Sequence, residues 1–423
     1  MIETKFKDTE VGRVPADWSE ENIMQKCTIK ARIGWQGLTT NEYLPFGDYI
    51  LVTGTDFDNG YINWNTCNYV SEWRYNQDKN IQLCEGDVLI TKDGTIGKVA
   101  YLDKVPMPGT LNSGVFVVRL KDKNEIDQTY LSWYFKSIWF ISFIDQLTAG
   151  STINHLYQKD FIKFSLILPP LPEQRRIATA LSDIDSLISS LDELIEKKRN
   201  IKQGTMQQLL TGKTRLNGFR EPWGEKKLGD LIKYLRTGLN PRTNFKLNTA
   251  DAYGYYITVR ELNGYDIIID ENTDRINDDA LSRIGERAQL KVNDVLFSGT
   301  GTIGQTAIVK QMPFKWGIKE GIYAITVDET KLNPLYLVLF LHTPGAISIF
   351  DSYASGSTIR SVPMAKLVQL PISLPSLSEQ HAIATILASM DDEIAALEQK
   401  REKYVSLKQG MMQELLTGRI RLV

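Results

Sequence analysis

The sequence contains few of the residues that build disulfide frameworks and metal centres. Its 423 residues include only three cysteines, Cys27, Cys67 and Cys84, all in the first half of the chain. None belongs to a C-x-x-C pair, so they predict no structural disulfides and fit a reducing cytoplasm. The three histidines are too scattered to predict a metal site, at His155, His342 and His381.

The sequence also lacks a strong charge bias and a long hydrophobic run. The formal net charge is −2, so the chain has no overall basic signature of nucleic-acid binding. This lowers the expectation of such binding without excluding it, because a local basic face is enough. The longest largely apolar run, Ile138–Ile144, is far too short to cross a membrane.

What the sequence does contain is a long internal repeat. Residues 149–216 align with residues 355–422 at an offset of 206, with 29 identities in 68 positions. Short stretches return intact, among them Gly150–Ile153 as Gly356–Ile359 and Leu209–Gly212 as Leu415–Gly418. A repeat of this length predicts two similar modules, so we expect the protein to do one kind of thing at two places.

Each copy divides into a globular part and a helical part. We expect mixed α/β domains at 1–168 and 212–375, a first spacer helix at 169–211, and a second spacer helix with a C-terminal tail at 376–423. Runs of β-branched and aromatic residues predict strands at 49–53, 87–90, 98–102 and 114–120, with counterparts at 256–259, 294–297, 305–309 and 321–327. Residues 130–136 and 336–342 predict a buried helix in each copy. The expected fold class is α+β.

The helical parts carry a heptad pattern that is typical of coiled coils. The first apolar seam advances by alternating steps of four and three residues, at Ile177, Leu181, Ile184, Ile188, Leu191 and Ile195. The second seam comprises Ile383, Leu387, Met390, Ile394 and Leu397, and then meets Arg401 before Tyr404. An unbroken helix of about 40 residues would measure roughly 60 Å. Gly204 and Gly410 are candidate bends or breaks.

Local signals predict where these helices begin and end. Pro172 suits a first helical turn, and Ser376 stands three residues before Glu379, which predicts a capping box. Gly212 and Gly418 follow Leu-Leu-Thr and predict helix stops.

Charge is polarised along both helices. Acidic residues come first and basic residues later, from Asp183 to Lys202 in the first helix and from Asp391 to Lys408 in the second. Each helix thus complements its own dipole. An antiparallel pair would also set acidic ends against basic ends, and the short linker 212–227 favours that arrangement. We therefore expect an antiparallel coiled coil with the globular parts at opposite ends, and a generic helical hairpin core is the simpler alternative.

Two motifs resemble nucleotide-binding signatures but lack the required context. Gly299–Gly304 matches G-x-G-x-x-G, yet the next residues read as a strand where the dinucleotide fingerprint needs a helix. A hairpin turn explains this segment and its counterpart Lys92–Gly97. Gly212-Lys213-Thr214 lacks the preceding P-loop glycine. The sequence therefore shows no catalytic signature, no metal site and no cofactor site of its own.

Taken together, the repeated features resemble one family. The helix starts Pro170–Gln174 and Ser376–Gln380, the helix ends Lys-Gln-Gly…Leu-Leu-Thr-Gly, and the module starts Val14–Trp18 and Glu221–Trp223 are similar to those of type I restriction–modification specificity subunits. The resemblance covers nearly the whole chain. It implies two target recognition domains that each read half of a bipartite DNA site, with the paired helices as the spacer.

The resemblance also implies partners. Two modification subunits and, for cleavage, restriction subunits would dock on the shared framework, and S-adenosylmethionine and ATP would belong to those partners. The modules differ in their loops, since residues 31–40 have no likeness to residues 235–242. We therefore expect an asymmetric double-stranded DNA target.

Candidate DNA-contacting residues come from the loops that differ between the modules. Arginine can contact guanine bidentately, and asparagine or glutamine can contact adenine in the same way. The candidates for base contact are Arg32, Trp35, Gln36 and Thr39 in the first module, and Arg236, Asn240, Arg242 and Arg260 in the second. The glycine turns suggest phosphate contacts from Lys92, Thr95 and Thr302.

Simpler roles remain open for all of these residues. The alternative interpretation of each polar candidate is a solvated loop residue, and that of Trp35 is a core residue. The recurring hydroxyl residues are more consistent with caps or turns than with base reading, at Ser151, Thr152, Ser357 and Thr358. Two alternative functions also stay open: a coiled-coil scaffold that binds only proteins, and a self-contained methyltransferase.

Overall fold

The computed structural model describes residues 5–9, 12–34, 37–148, 155–311, 315–355 and 360–423. The chain divides into two compact units, which we call unit 1 (Met1–Asp192 with Gln399–Val423) and unit 2 (Glu193–Glu398). Each unit therefore contains one globular module together with part of each long helix. The boundaries predicted from the repeat follow the modules, whereas the compact units divide both helices.

Unit 1 contains two larger sheets and several two-stranded ones. Its strands are β1 Phe6–Thr9, β2 Gly12–Pro15, β3 Ser19–Asn22, β4 Cys27–Ala31, β5 Ile50–Val52, β6 Phe57–Asp58, β7 Tyr61–Ile62, β8 Asn68–Tyr69, β9 Val88–Thr91, β10 Val99–Tyr101, β11 Gly109–Leu111, β12 Val115–Leu120 and β13 Ser165–Leu168. The order β10-β9-β12-β4 forms an antiparallel sheet. In the second sheet, β11-β5-β8, the β11–β5 pair is parallel. Its helices are α1 Ile23–Lys26, α2 Glu72–Asn76, α3 Gln128–Tyr134, α4 Ile138–Thr148 and α5 Gln158–Phe161.

The first long helix, α6 Leu171–Leu209, leads to unit 2. The strands there are β14 Gly224–Lys227, β15 Ile232–Thr237, β16 Gly254–Ile257, β17 Leu262–Asn263, β18 Asp266–Ile267, β19 Arg275–Ile276, β20 Val295–Ser298, β21 Thr306–Ile308, β22 Trp316–Ile318, β23 Ile322–Val327 and β24 Pro371–Leu374. The helices are α7 Pro241–Asn244, α8 Asp278–Ala288, α9 Pro334–Leu341, α10 Pro344–Tyr353, α11 Met364–Leu367 and the second long helix α12 Leu377–Leu415.

The two modules share one topology. The antiparallel sheet of unit 2 has the order β15-β23-β20-β21, and its smaller sheet, β19-β16-β22, again contains one parallel pair, β16–β22. The strands β3 and β13 pair in unit 1 as β14 and β24 pair in unit 2. The prediction of two similar mixed α/β modules is confirmed, and all eight predicted strands and both buried helices are present.

Both long helices are continuous over 39 residues, so Gly204 and Gly410 do not break them. Both glycines are exposed, and a Cβ at either position would meet no neighbouring atom. A glycine inside a helix costs about 1 kcal/mol relative to alanine, and the packed seam offsets that cost. Gly212 and Gly418 adopt φ of 70°, as predicted for the residues that end the helices.

The predicted seam is the buried face of each helix. In unit 1, Ile177 and Leu181 share a core with Leu415 and Leu416 of the other helix. In unit 2, Ile383 and Leu387 share a core with Leu209 and Leu210. Further along, all remaining members of the first seam are buried, and Met390, Leu397 and Tyr404 of the second seam are half-buried.

Ion pairs show that the helices are antiparallel within each unit. In unit 1, Asp192 binds Arg401 at 2.5 Å and Asp185 binds Lys408. In unit 2, Lys198 binds Glu393 at 2.6 Å, and Lys202 binds Asp391. Residue numbers rise along one helix as they fall along the other. Arg401, which interrupts the second seam, thus pairs across the helices.

The predicted capping box at Ser376 is wrong, because the Glu379 side chain has other partners. Glu379 is buried and accepts hydrogen bonds from Nε and Nη2 of Arg215, both at 2.7 Å, and from Nε1 of Trp223 at 3.1 Å. Its counterpart Glu173 accepts from Trp18 and Arg421 in the same way. The charged guanidinium of Arg215, together with the indole of Trp223, competes for the carboxylate more strongly than a backbone amide does.

The glutamine that follows each of these glutamates also has a repeated structural role. Gln174 accepts a hydrogen bond from the backbone N–H of Asp127 at 2.9 Å, and Gln380 accepts one from Asn333 at 2.8 Å. Both side chains then donate to the carbonyl five residues earlier, at Pro169 and Pro375. The recurring Glu-Gln pair therefore ties each long helix to its own module.

Within the described residues, no single helix is long and apolar enough to cross a membrane. The bent pair Pro334–Leu341 and Pro344–Tyr353 reaches that length and composition, with an angle of 72° between its helices. Most of the first helix of this pair lies in the core of unit 2.

Candidate nucleic-acid interface

The glycine-rich segments are hairpin turns, as predicted. Residues 92–98 connect the antiparallel strands β9 and β10, and residues 299–305 connect β20 and β21. Gly94 and Gly301 adopt φ of 69° and 78°, a left-handed conformation that favours glycine. Because a strand follows each turn, the dinucleotide-binding interpretation is excluded for both.

The turns present their predicted phosphate-contacting residues at the surface. The side chains of Thr95 and Thr302 are exposed, while their carbonyls accept hydrogen bonds from the hydroxyls of Thr91 and Ser298. The ammonium of Lys92 lies 5.3 Å from the centre of the Phe116 ring. These contacts hold each turn in place and leave the threonine hydroxyls available, so the three assignments stay predictions.

Arg32 requires a correction, because it is a core residue. Only 1% of its surface is exposed. Its Nε donates to the carbonyl of Leu111 at 2.8 Å, and its terminal nitrogens donate to Gln77 at 3.1 Å and Thr110 at 3.1 Å. Burial lowers the pKa of the Arg32 guanidinium, and the nearby charge of Arg74 lowers it further. With its donors committed inside the module, Arg32 is not positioned to contact a base.

Arg236 also has a structural position instead of the predicted base contact. Its Nη2 lies 2.8 Å from the buried carboxylate of Asp294, and its Nη1 donates to the carbonyl of Gln289. In unit 1 the counterpart carboxylate, Asp87, binds Arg119 through two contacts of 2.6 Å. That hydrogen-bonded pair raises the pKa of Arg119. The corresponding aspartates thus each bind an arginine, which lies on strand β12 in unit 1 and on strand β15 in unit 2.

Asn240 and Arg242 begin the short helix α7. The Asn240 side chain accepts a hydrogen bond from the backbone N–H of Arg242 at 3.1 Å, so it serves as an N-cap. The Arg242 side chain is exposed, and no ion pair or side-chain hydrogen bond to the described residues occupies it. Arg242 is therefore the predicted base-contacting arginine whose position best suits that role.

The remaining two predicted residues have partners at the surface. Arg260 is more than half exposed and pairs with Asp274 at 2.9 Å. The hydroxyl of Thr39 donates to Glu42 at 3.1 Å within a capping box. Both side chains remain accessible, and their assignment to DNA stays a prediction.

Some predicted residues lie outside the part of the chain that the structure describes. Trp35 and Gln36 are the two such candidates for base contact. The recurring hydroxyl residues Ser151, Thr152, Ser357 and Thr358 also lie outside the described residues.

The structure adds exposed aromatic residues in unit 1. Phe46 is 80% exposed and Trp73 is 66% exposed, and the guanidinium of Arg74 lies 4.9 Å from the Trp73 ring centre. Nearby, Tyr49 and Tyr75 stack at 4.6 Å. Apolar and aromatic side chains contact thymine methyl groups in DNA complexes, so Phe46 and Trp73 are candidate contact residues. No periodic pattern in the sequence marked them.

Unit 2 has a basic and aromatic cluster on its smaller sheet. Arg275 lies 4.0 Å from the ring centre of its cross-strand partner Tyr255, and the ammonium of Lys315 lies 4.7 Å from the Tyr253 ring centre. These cation–π pairs hold positive charges at the surface. The residues are separated by up to 62 positions in the sequence, from Tyr253 to Lys315, which is why the sequence pattern did not bring them together.

The modules also differ in the helix that follows the edge strand of the smaller sheet. Unit 2 has an eleven-residue helix, Asp278–Ala288, after strand β19, whereas unit 1 has a five-residue helix, Glu72–Asn76, after strand β8. The described residues contain no cluster of three or more histidine, cysteine, aspartate or glutamate side chains able to hold a metal ion. Two like frameworks with unlike outer elements therefore define a protein with two distinct recognition surfaces.

Comparison with known proteins identifies the family of this chain. The model of the type I restriction modification DNA specificity domain matches residues 27–202 and again residues 220–406. The chain belongs to this family, and it carries the domain twice. The fold class and the specificity-subunit family expected from the sequence are confirmed.

Similar proteins extend over nearly the whole chain. The type I restriction enzyme MjaVIII specificity subunit of Methanocaldococcus jannaschii is 25% identical over 425 residues, which cover 96% of this chain and 97% of the relative. The type I restriction–modification S subunit from M. genitalium has a TM-score of 0.57 at 16% identity, covering 94% of this chain and 96% of its own. A structure from a study of type I system assembly has a TM-score of 0.54 at 18% identity, covering 96% and 99%. These structures show a shared fold.

Proposed function

We propose that the chain is the non-catalytic DNA-recognition subunit of a type I restriction–modification complex, and that it reads an asymmetric bipartite site with one module per half-site. The observation that carries this proposal is the pairing of two like frameworks with unlike outer elements, each framework tied to its own end of a long helix. In this proposal the shared framework binds the same kind of partner subunit in both modules, whereas the different outer surfaces contact different base sequences.

The antiparallel helices supply the proposed spacer. Each helix has 39 residues, which at about 1.5 Å per residue measure roughly 58 Å. One turn of duplex DNA is about 34 Å long. Each helix is therefore longer than one turn of duplex, as the proposed spacer requires.

The chemistry is assigned to partner subunits. In this proposal two modification subunits bring S-adenosylmethionine, restriction subunits bring ATP, and this chain binds neither cofactor. The described residues offer the recognition surfaces above and helix faces for docking. Arg242 and the cluster of Arg275 and Lys315 are the proposed DNA contacts in the second module, and Phe46 and Trp73 are those in the first.

A module exchange tests the proposal. Strands β3 and β13 pair at the base of the first module, so replacing residues 23–164 with the matching region of a relative leaves that ladder intact. The exchanged protein, expressed with its modification subunits, should methylate a site in which only one half has changed. The reciprocal exchange of residues 228–370, between β14 and β24, should change only the other half.

The outcomes separate the alternatives. An unchanged methylation sequence after either exchange would refute recognition by the modules and favour a scaffold that binds only proteins. Methylation of DNA by the purified chain alone, with S-adenosylmethionine, would instead identify a self-contained methyltransferase.

A further inference from the structure

One buried carboxylate joins three separate elements of unit 1. Asp185, on the first long helix, is 7% exposed. Its Oδ2 accepts a hydrogen bond from the hydroxyl of Tyr61 at 3.2 Å, and its Oδ1 accepts one from the ammonium of Lys408 on the second long helix. Tyr61 lies on the β6–β7 hairpin of the globular module. A single side chain therefore connects both helices to the recognition module.

The same arrangement occurs independently in unit 2. Asp391, on the second long helix, accepts a hydrogen bond from the hydroxyl of Tyr265 at 2.7 Å and another from the ammonium of Lys202 on the first. In unit 2 the aspartate lies on the second long helix and the lysine on the first, which is the reverse of unit 1. We call these two clusters the Tyr–Asp–Lys triads.

Each tyrosine is rigidly connected to the main sheet of its module. In unit 1 the turn Asn59–Gly60 has positive φ at both residues, 49° and 89°, and the Gly60 carbonyl accepts a hydrogen bond from Tyr101 of β10 at 2.9 Å. In unit 2 the carbonyl of Tyr265 itself accepts a hydrogen bond from Ile308 of β21 at 3.0 Å. Because each tyrosine is bonded to the sheet in this way, its hydrogen bond to the aspartate links the sheet to the helices of that unit.

The sequence carries a signal for this arrangement that the 206-residue alignment misses. Asn59-Gly60-Tyr61 returns as Asn263-Gly264-Tyr265, at an offset of 204. The aspartates and lysines recur at 206, so the two offsets differ by two residues. The triad residues therefore recur in both units although the segment between the tyrosine and the aspartate differs in length by two residues.

In each triad the aspartate carboxylate lies between polar partners and mostly away from solvent. Burial raises the pKa of Tyr61 and Tyr265, and the adjacent aspartate raises each further, so both hydroxyls stay protonated donors. Beside the triad of unit 1, Lys136 lies 5.4 Å from the centre of the Tyr61 ring. In unit 2 the corresponding residue, His342, lies 2.7 Å from the hydroxyl of Thr306.

We propose that the two Tyr–Asp–Lys triads position each recognition module along the helix pair, and that they thereby select the spacing between the two half-sites. This inference rests on the proposed function. It assigns base recognition to the outer surfaces of the modules and spacing to these inner contacts. The tyrosines, aspartates and lysines are positioning residues, because they act through the placement of the modules.

The test is to remove each tyrosine hydroxyl and measure spacer selectivity. Tyr61→Phe, Tyr265→Phe and the double variant are expressed as full chains with the modification subunits of the same system. Methylation is measured on DNAs that carry the two parental half-sites separated by the parental spacer or by one base pair more or less. Loss of one hydrogen bond should reduce the preference for the parental spacer by about fivefold, and by more in the double variant, with the half-site bases unchanged.

Matched controls distinguish positioning from general loosening. Tyr130 and Tyr336 are buried at corresponding places, and their hydroxyls donate to the carbonyls of Ile167 and Ser373, which lie on strands β13 and β24 of the modules. Tyr130→Phe and Tyr336→Phe should lower thermal stability to a similar extent and keep the spacer preference. Equal loss of preference in the controls, or unchanged preference in the double variant, would overturn the inference. If the parental protein directed methylation to no bipartite site, the proposed function itself would fail, which is a distinct result.

Discussion

Glu173 and Arg421 form a doubly hydrogen-bonded ion pair, with both contacts at 2.8 Å, although 248 residues separate them in the sequence. Glu379 and Arg215 form the corresponding pair in unit 2, with both contacts at 2.7 Å. Each long helix therefore begins by binding the arginine that follows the end of the other helix. A tryptophan, Trp18 or Trp223, donates to the same carboxylate.

Glu173→Gln should destabilise unit 1 substantially. The amide accepts on one oxygen only and leaves the mostly buried guanidinium of Arg421 with the exposed carboxylate of Asp17 as its remaining charged partner. Breaking such a pair by changing one partner costs roughly 3 kcal/mol. Urea unfolding followed by circular dichroism measures the loss. Glu196→Gln, at an exposed position on the same helix, should change stability by less than about 0.5 kcal/mol, and equal effects of the two changes would contradict a buried ion pair.

Arg32→Met should lower stability, whereas Arg242→Met should weaken DNA binding and leave stability nearly unchanged. The first removes donors that satisfy Leu111, Gln77 and Thr110, so we expect a loss of about 2–4 kcal/mol in stability. The second changes an exposed side chain and should leave stability within about 0.5 kcal/mol. It should instead weaken DNA binding by the complex and, for a phosphate contact, reduce the salt slope of binding by about one. Wild-type DNA binding by a folded Arg242→Met complex would refute its assignment.

Lys136 should make the stability of unit 1 depend on pH. Burial lowers the pKa of Lys136 from 10.5 to about 8, against the opposing attraction of Asp185. Between these values the unfolded chain holds a proton that the folded chain lacks, so stability rises with pH in that window. The cost of burying the charge is fully present below pH 8 and is lost by about pH 10.5.

Lys136→Met should therefore flatten this rise relative to the wild type. Because part of the side chain is exposed, we expect a difference of about 1 kcal/mol between pH 7.5 and 10. Urea unfolding at several pH values measures it. Burial lowers the pKa of the corresponding His342 below its ordinary value of 6.5, so His342→Gln should leave the slope above pH 8 unchanged. A wild-type slope in Lys136→Met would contradict the buried ammonium.

Lengthening both helices should change the preferred DNA spacer. Seven residues inserted after Ser190 and seven after Lys403 preserve the heptad and retain the pairs Asp185–Lys408 and Asp192–Arg401 on either side. The helices lengthen by about 10 Å, which is about three base pairs of duplex. Methylation of the parental site should fall at least about tenfold, with a longer spacer preferred. Insertion into one helix alone breaks the register and serves as the control.

An unchanged spacer preference in a folded doubly lengthened protein would refute the spacer role. Circular dichroism, which should show the added helix, establishes that the variant is folded.

Much of the fold could be predicted from local pattern. The strands, the two buried helices and the heptad seams follow from the periodicity of apolar residues over short windows. The capping box failed because Glu379 binds Arg215 and Trp223, which lie more than 150 residues away. Arg32 and Arg236 failed for a similar reason, since their partners come from strands and loops that the sequence alone does not place beside them.

The sequence by itself determined that there are two modules, that long heptad helices accompany them, and that the loops differ between the copies. These properties depend on spacing along the chain, which a repeat and a periodic pattern record directly. Only the tertiary structure decided which polar residues are committed to the framework and which remain at the surface. That division depends on burial and on partners brought together from distant segments, as Asp185 is bound at once by Tyr61 and Lys408.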